Sequence, residues 1–111
     1  MNPKIKTKWL KALRSGKYQQ AEGTLKVVDA NGKSYCCLGV LCDLYCKTKK
    51  IEWNYDWTDL LPTEVSEWAG IDTESPEVKY GKDKQLKELA WLNDTKKLNF
   101  EQIAKVIERE L

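Results

Sequence analysis

The chain has 111 residues, 41% of them apolar, and carries 19 Lys and Arg against 17 Asp and Glu, a formal net charge of +2. That length fits one domain spanning residues 1–111 and excludes a two-domain enzyme with its cleft between lobes. Charged residues, 32% of the total, are too scattered for a bilayer span, and the absence of histidine removes the usual base, proton shuttle and zinc ligand near neutral pH.

In chain order, Asn2 and Pro3 read as a helix start, a capping side chain followed by proline at the first helical position. Ile5, Trp9 and Leu13 recur every four residues and Gly16 follows as a stop, which predicts a helix over 4–15. Residues 24–28 are short and β-branched, 29–32 carry turn chemistry and 33–36 can pair back, so a β-hairpin is expected. From Cys37, the run of Leu38, Val40, Leu41, Leu44 and Tyr45 predicts a buried helix to about Cys46, with a continuous apolar strand as the competing assignment.

Trp53, Tyr55 and Trp57 alternate with polar residues, predicting an extended segment with its aromatics on one face. Pro62 opens a short helix over 63–69 that Gly70 closes, and 71–83, with Pro76 and Gly81, reads as loop. Leu86, Leu89, Ala90 and Leu92 form a helical stripe ending at Asn93 and Asp94. The last helix has the clearest start: Asn99 as cap, Gln102 three residues on, and Leu98 placed to staple onto Ile103. The expected fold is α+β, a small antiparallel β-hairpin or sheet packed with about four short helices in a single domain.

All four cysteines, Cys36, Cys37, Cys42 and Cys46, fall within eleven residues, where bridges would close only short loops. Residues 1–11 are basic but lack the apolar stretch of a signal sequence, so reduced thiols and a cytoplasmic location are expected. Cys36 and Cys37 are adjacent with no distant ligand pair, a spacing that disfavours a metal site. Charge is unevenly spread: residues 1–26 hold seven bases and one acid, whereas 51–78 hold eight acids and no base. Such a dipolar surface steers an anion to one side or pairs copies head to tail.

Four segments carry a resemblance. They are Trp9-x-x-Ala12-Leu13-x-Ser15-Gly16-x-Tyr18-x-Gln20-x-x-Gly23-x-Leu25; Tyr35-Cys36-Cys37-Leu38-Gly39-Val40-Leu41-Cys42-Asp43-Leu44; Leu61-Pro62-x-x-Val65-x-x-Trp68-x-Gly70; and Leu89-x-x-Leu92-Asn93-Asp94 with Phe100-x-x-Ile103-Ala104. In these the chain resembles small proteins encoded by tailed phages and prophages. The resemblance implies a phage origin and expression inside the host bacterium, and brings no established activity with it.

Several chemistries compete. A thiol at Cys37, at the start of a helix, would be activated by the helix dipole but has no histidine as base. Carboxylate chemistry through Asp43 and Asp94 is a weak signal, since turn and capping roles account for such residues equally well. Two helices meeting across 93–99 suggest a helix-turn-helix, but Glu101, Glu108 and Glu110 outweigh Lys105 and Arg109, which disfavours specific DNA binding.

A pocket for a small anionic, aromatic ligand uses more of the unusual residues. Arg14 and Lys17 would contact phosphates, Tyr18 or a nearby tryptophan would stack on a base, and Gln20, Asn93 and Asp94 would hydrogen-bond base edges or ribose hydroxyls. The expectation is a phage-encoded, non-enzymatic protein with no catalytic residue, cofactor, metal or membrane partner, which sequesters a nucleotide second messenger of antiphage defence. Enclosing a ligand on so short a chain favours a homo-oligomer. The alternative is an inhibitor or adaptor that binds a host protein through the acidic, aromatic segment 52–59.

Overall fold

Asn2 Oδ1 accepts the backbone N–H groups of Lys4 at 2.9 Å and Ile5 at 3.1 Å, and Pro3 occupies the first turn, so α1 (Pro3–Arg14) begins where its caps place it. The structure, a computed structural model, describes residues 1–111. Ile5, Trp9 and Leu13 are the buried residues of α1, and Gly16 leaves the helix at a φ of +75°.

Three strands follow: β1 (Gln19–Gln20), β2 (Lys26–Asp29) and β3 (Gly32–Tyr35), in sheet order β1-β3-β2. The β2–β3 hairpin is antiparallel as expected, with Asp29 opposite Gly32 and Asp29 Oδ1 accepting the Asn31 N–H at 2.9 Å. The sheet is mixed, because β1 lies parallel to β3 with Gln19 opposite Ser34 and Gln20 opposite Tyr35. Two exposed glutamines carry no alternation from which such a strand could be read.

The run from Cys37 is helical, α2 (Cys37–Lys49), with Cys36 Sγ accepting the Gly39 N–H at 3.4 Å. Residues 37–42 are all buried, so the first half of α2 is apolar around its whole circumference, the pattern of a central helix. The residue before β2 and the helix approach closely at Gly39, where an added Cβ would lie 1.8 Å from the Leu25 carbonyl oxygen.

The segment after α2 turns instead of extending. The Trp57 N–H donates to the Asn54 carbonyl at 3.0 Å and Asn54 Oδ1 accepts the Asp56 N–H at 2.9 Å, so local Asx chemistry overrides the alternation. Trp53 and Trp57 consequently pack on each other, ring centroids 5.1 Å apart, while Tyr55 remains 73% exposed. Helix α3 (Thr63–Ala69) closes at Gly70 with φ +71°, as expected.

The expected loop at 71–83 contains a strand. β4 (Glu77–Tyr80) pairs antiparallel with β5 (Gln85–Glu88), Glu77 opposite Glu88 and Tyr80 opposite Gln85. The helical stripe therefore shortens to α4 (Leu89–Asp94), and Leu86, taken above as part of it, sits on β5 at 60% exposure. Helix α5 (Phe100–Glu110) has its capping box in place, each Asn99–Gln102 bond at 2.9 Å, and both Leu98 and Ile103 are buried.

The fold is thus α+β, five helices with two small sheets around one core. Trp9, Leu38, Leu41, Leu92, Ile103 and Ile107 lie at its centre, and the Trp9 indole N–H donates to the Cys37 carbonyl at 3.0 Å. No helix is long and apolar enough to cross a membrane.

Candidate functional site

The β2–β3 hairpin leans over the second half of α2, and the segment after α2 folds back beside it. Between them run two adjoining lobes that share Lys33, Tyr35, Asp43 and Lys47. The smaller, about 360 Å³, adds Lys17, Tyr18 and Gln19. The larger, about 520 Å³, adds Lys26 from β2, Cys46 and Lys50 from the end of α2, and Ile51, Glu52, Trp53 and Tyr55 from the segment that follows. Five lysines therefore face two acids, with four aromatic side chains among them. A wider hollow of about 660 Å³ beside α3 is lined by Glu67, Asp72 and Glu74 with no base, the wrong sign for an anion.

The centre of the cleft is held by a three-residue cluster. The Tyr18 hydroxyl donates to Asp43 Oδ2, and Lys47, one helical turn from Asp43, pairs with the same oxygen at 3.0 Å while donating to the Tyr18 oxygen at 3.2 Å. Hydrogen bonds to Asp43 and Tyr18 push the Lys47 ammonium up to about 12. Burial, then the Asp43 hydrogen bond, raises the Tyr18 phenol, and burial pushes Tyr35 up to about 12. Near neutral pH the cleft thus presents the Lys47 ammonium, paired with the Asp43 carboxylate, beside the neutral phenols of Tyr18 and Tyr35.

Edge-to-face contacts link Tyr18 to Tyr35 at 5.2 Å and Tyr35 to Trp53 at 6.0 Å, so the rings of the two lobes form one continuous wall. Lys26 Nζ lies 4.8 Å from the Trp53 ring centre and 5.2 Å from that of Tyr55. Ammonium groups of this kind attract phosphate, and Tyr55, 73% exposed, keeps ring surface free for a planar base.

Of the residues singled out in the sequence, Lys17 and Tyr18 line this cleft. Arg14 does not. Its guanidinium makes a two-point contact with Glu108 at 3.3 and 3.4 Å and reaches Glu101 at 3.7 Å, pinning α1 to α5. Gln20, Asn93 and Asp94 come together elsewhere, in an internal network. Asn93 is 1% exposed; its amide donates to the Ala21 carbonyl at 2.8 Å and Asp94 Oδ1 at 2.7 Å. Its oxygen accepts from Gln20 Nε2 at 2.8 Å and the Cys37 N–H at 3.2 Å. With two donors and two acceptor sites engaged, Asn93 has nothing left for a ligand. Gln20 also donates to the Leu98 carbonyl at 2.8 Å.

Sequence inspection missed Lys26, Lys33, Tyr35, Lys47, Lys50 and Trp53 as one constellation. A signal was present in the hairpin: Lys33 and Tyr35 are two apart on β3, and Lys26 stands opposite Tyr35, so all three belong to one face. The thiol weighed at Cys37 is not activated by its place in the fold. Cys37 is fully buried and, like Cys36 at about 11, has its pKa raised by desolvation, which outweighs the helix dipole and keeps the sulfur protonated.

No curated protein and no solved structure matches the chain. The family described as "Domain of unknown function (DUF8296)" matches residues 1–111, and the chain belongs to that family.

Proposed function

We propose that this is a phage-encoded, non-enzymatic protein that captures a nucleotide in the lysine-aromatic cleft and so sequesters a second messenger of antiphage defence in the host bacterial cytoplasm. One observation carries the capture: five lysines and four aromatic rings converge on two adjoining lobes. Phosphates satisfy the first set and a base the second. The absence of histidine and the raised thiols support holding the ligand without cleaving it. The role in defence rests on the resemblance to phage proteins.

A sponge must out-compete a receptor, which calls for nanomolar affinity, about −12 kcal/mol. Both lobes are open on one side, and a second copy of the chain laid over them would complete the enclosure, in keeping with a homo-oligomer. Calorimetry against AMP, GMP, ADP, GDP and the cyclic dinucleotides of adenine and guanine tests the proposal. Tight binding with the nucleotide recovered intact, lost in Lys33→Ala and Lys47→Ala, is the expected result. Indifference to the whole panel, together with stable association with a host polypeptide through 52–59, would overturn it in favour of an adaptor.

A further inference from the structure

We infer that Asp43 reads a ribose hydroxyl of the captured ligand, which makes the cleft selective for ribonucleotides over their deoxy counterparts; the inference rests on the capture of a nucleotide proposed above. The carboxylate in the middle of this lysine-rich cleft ties Tyr18 to Lys47 at a cost to the capture of an anion. It repels phosphate and neutralises part of the charge of Lys47, so a site for phosphate alone would bind better without it.

The hydrogen bonding shows what the carboxylate offers. Tyr18 and Lys47 both engage Oδ2, and Oδ1 makes no hydrogen bond. No buried side-chain oxygen or nitrogen lacks a partner, so Oδ1 is open to the space above it. That space is the cleft, since Asp43 lines both lobes. One oxygen is thus anchored by two positioning residues and the other is free to accept an O–H or N–H donor from a ligand.

The position favours the sugar as the source of that donor. Asp43 stands on the wall common to the lobes; Tyr55, the ring face for a base, belongs to the larger, and Lys17 belongs to the smaller. With the base on the exposed ring of Tyr55 and phosphate toward Lys17 and Lys33, the ribose that joins them lies over Asp43. Carboxylates commonly accept hydrogen bonds from ribose hydroxyls in nucleotide sites. A hydrogen bond to a charged acceptor accounts for a preference of about tenfold or more.

The experiment titrates wild-type protein and Asp43→Asn with each ribonucleotide of the panel and its 2′-deoxy form, with inorganic pyrophosphate as the probe lacking sugar and base. The wild type should prefer the ribose form by about tenfold, and Asp43→Asn should lose most of that preference while binding pyrophosphate more tightly, because a negative charge has gone. Should Asp43→Asn not fold, Tyr18→Phe, which releases one anchor of the carboxylate, should lower the ribose preference in its place. Equal affinity of the wild type for both forms overturns the inference, as does a preference that survives in the variants. So does discrimination by exocyclic base amines instead of hydroxyls, which would place a base edge over Asp43. Failure to bind any pair removes the capture proposal and this inference together, whereas binding without ribose preference removes this inference alone.

Discussion

Gly39 is the position at which one extra carbon matters most. The Leu25 carbonyl that a Cβ would strike also accepts the Cys36 N–H at 3.2 Å, so neither strand nor helix can move aside without losing the junction that sets the hairpin over α2. Gly39→Ala should destabilise the protein by about 3 kcal/mol, read by chemical denaturation. Asn93 is the polar equivalent. Removing its side chain strands the Cys37 N–H and the Ala21 carbonyl and leaves Gln20 Nε2 with the Leu98 carbonyl alone, and Asn93→Ala should cost about 3 kcal/mol for the same measurement. Because this network does not line the cleft, nucleotide affinity of the folded Asn93→Ala protein should stay within about twofold of wild type. A selective loss of binding at unchanged stability would return Asn93 to the ligand site.

The elements show a trade between stability and charge at the end of α2. Lys50 caps that helix in the left-handed region, φ 58° and ψ 46°, where glycine is the usual occupant, and its side chain lines the larger lobe. Lys50→Gly should raise stability by about 0.5–1 kcal/mol while weakening nucleotide binding about two- to fivefold, whereas Lys50→Ala should weaken binding with no gain in stability. Parallel thermal melts and calorimetry on the two variants check both halves. Elements with their own punctuation were readable from sequence: α1 through Asn2 and Pro3, α3 through Pro62 and Gly70, α5 through its capping box. The second hairpin was not, because Pro76 and Gly81 mimic a loop and Leu86 falls by chance at helical spacing from Leu89 and Ala90. Its turn also places Lys84 at φ +54°, a residue that does not announce a turn. The cleft was half legible for a related reason. Lys17 and Tyr18 follow directly from the helix stop, but Lys26, Lys47 and Trp53 meet only through the long-range register of hairpin, helix and returning segment.

At the scale of the whole molecule, the charge asymmetry of the sequence is partly absorbed. Lys6 donates to the Glu108 carbonyl at 3.1 Å and Arg14 pairs with Glu108, so α5 neutralises some of the basic N-terminal run, and the cleft gathers a separate group of five lysines. The most global consequence of the fold is its response to alkali. Desolvation raises all four thiols: Cys36 from 9.0 to about 11, Cys37 and Cys42 well above their ordinary value, and Cys46 in the same direction. An acid with a higher pKa in the folded state keeps a proton that the unfolded chain has already released, so stability falls as pH rises. The contribution is complete below the unfolded thiol value of 9.0 and is lost as pH climbs through the folded values. Cys36 alone accounts for about 2–3 kcal/mol across that window, at about 1.4 kcal/mol per unit. Lys47, raised by its hydrogen bonds from 10.5 to about 12, adds a loss of the same sign at higher pH. Guanidinium midpoints should therefore be level from about pH 6 to 8 and drop steeply above about 9. Cys36→Ala combined with Cys42→Ala should start from a lower midpoint but decline more gently over the same range. A wild-type profile that stays level beyond about pH 10, or rapid alkylation of the folded protein at pH 8, would show that the thiols are not held as buried, protonated groups.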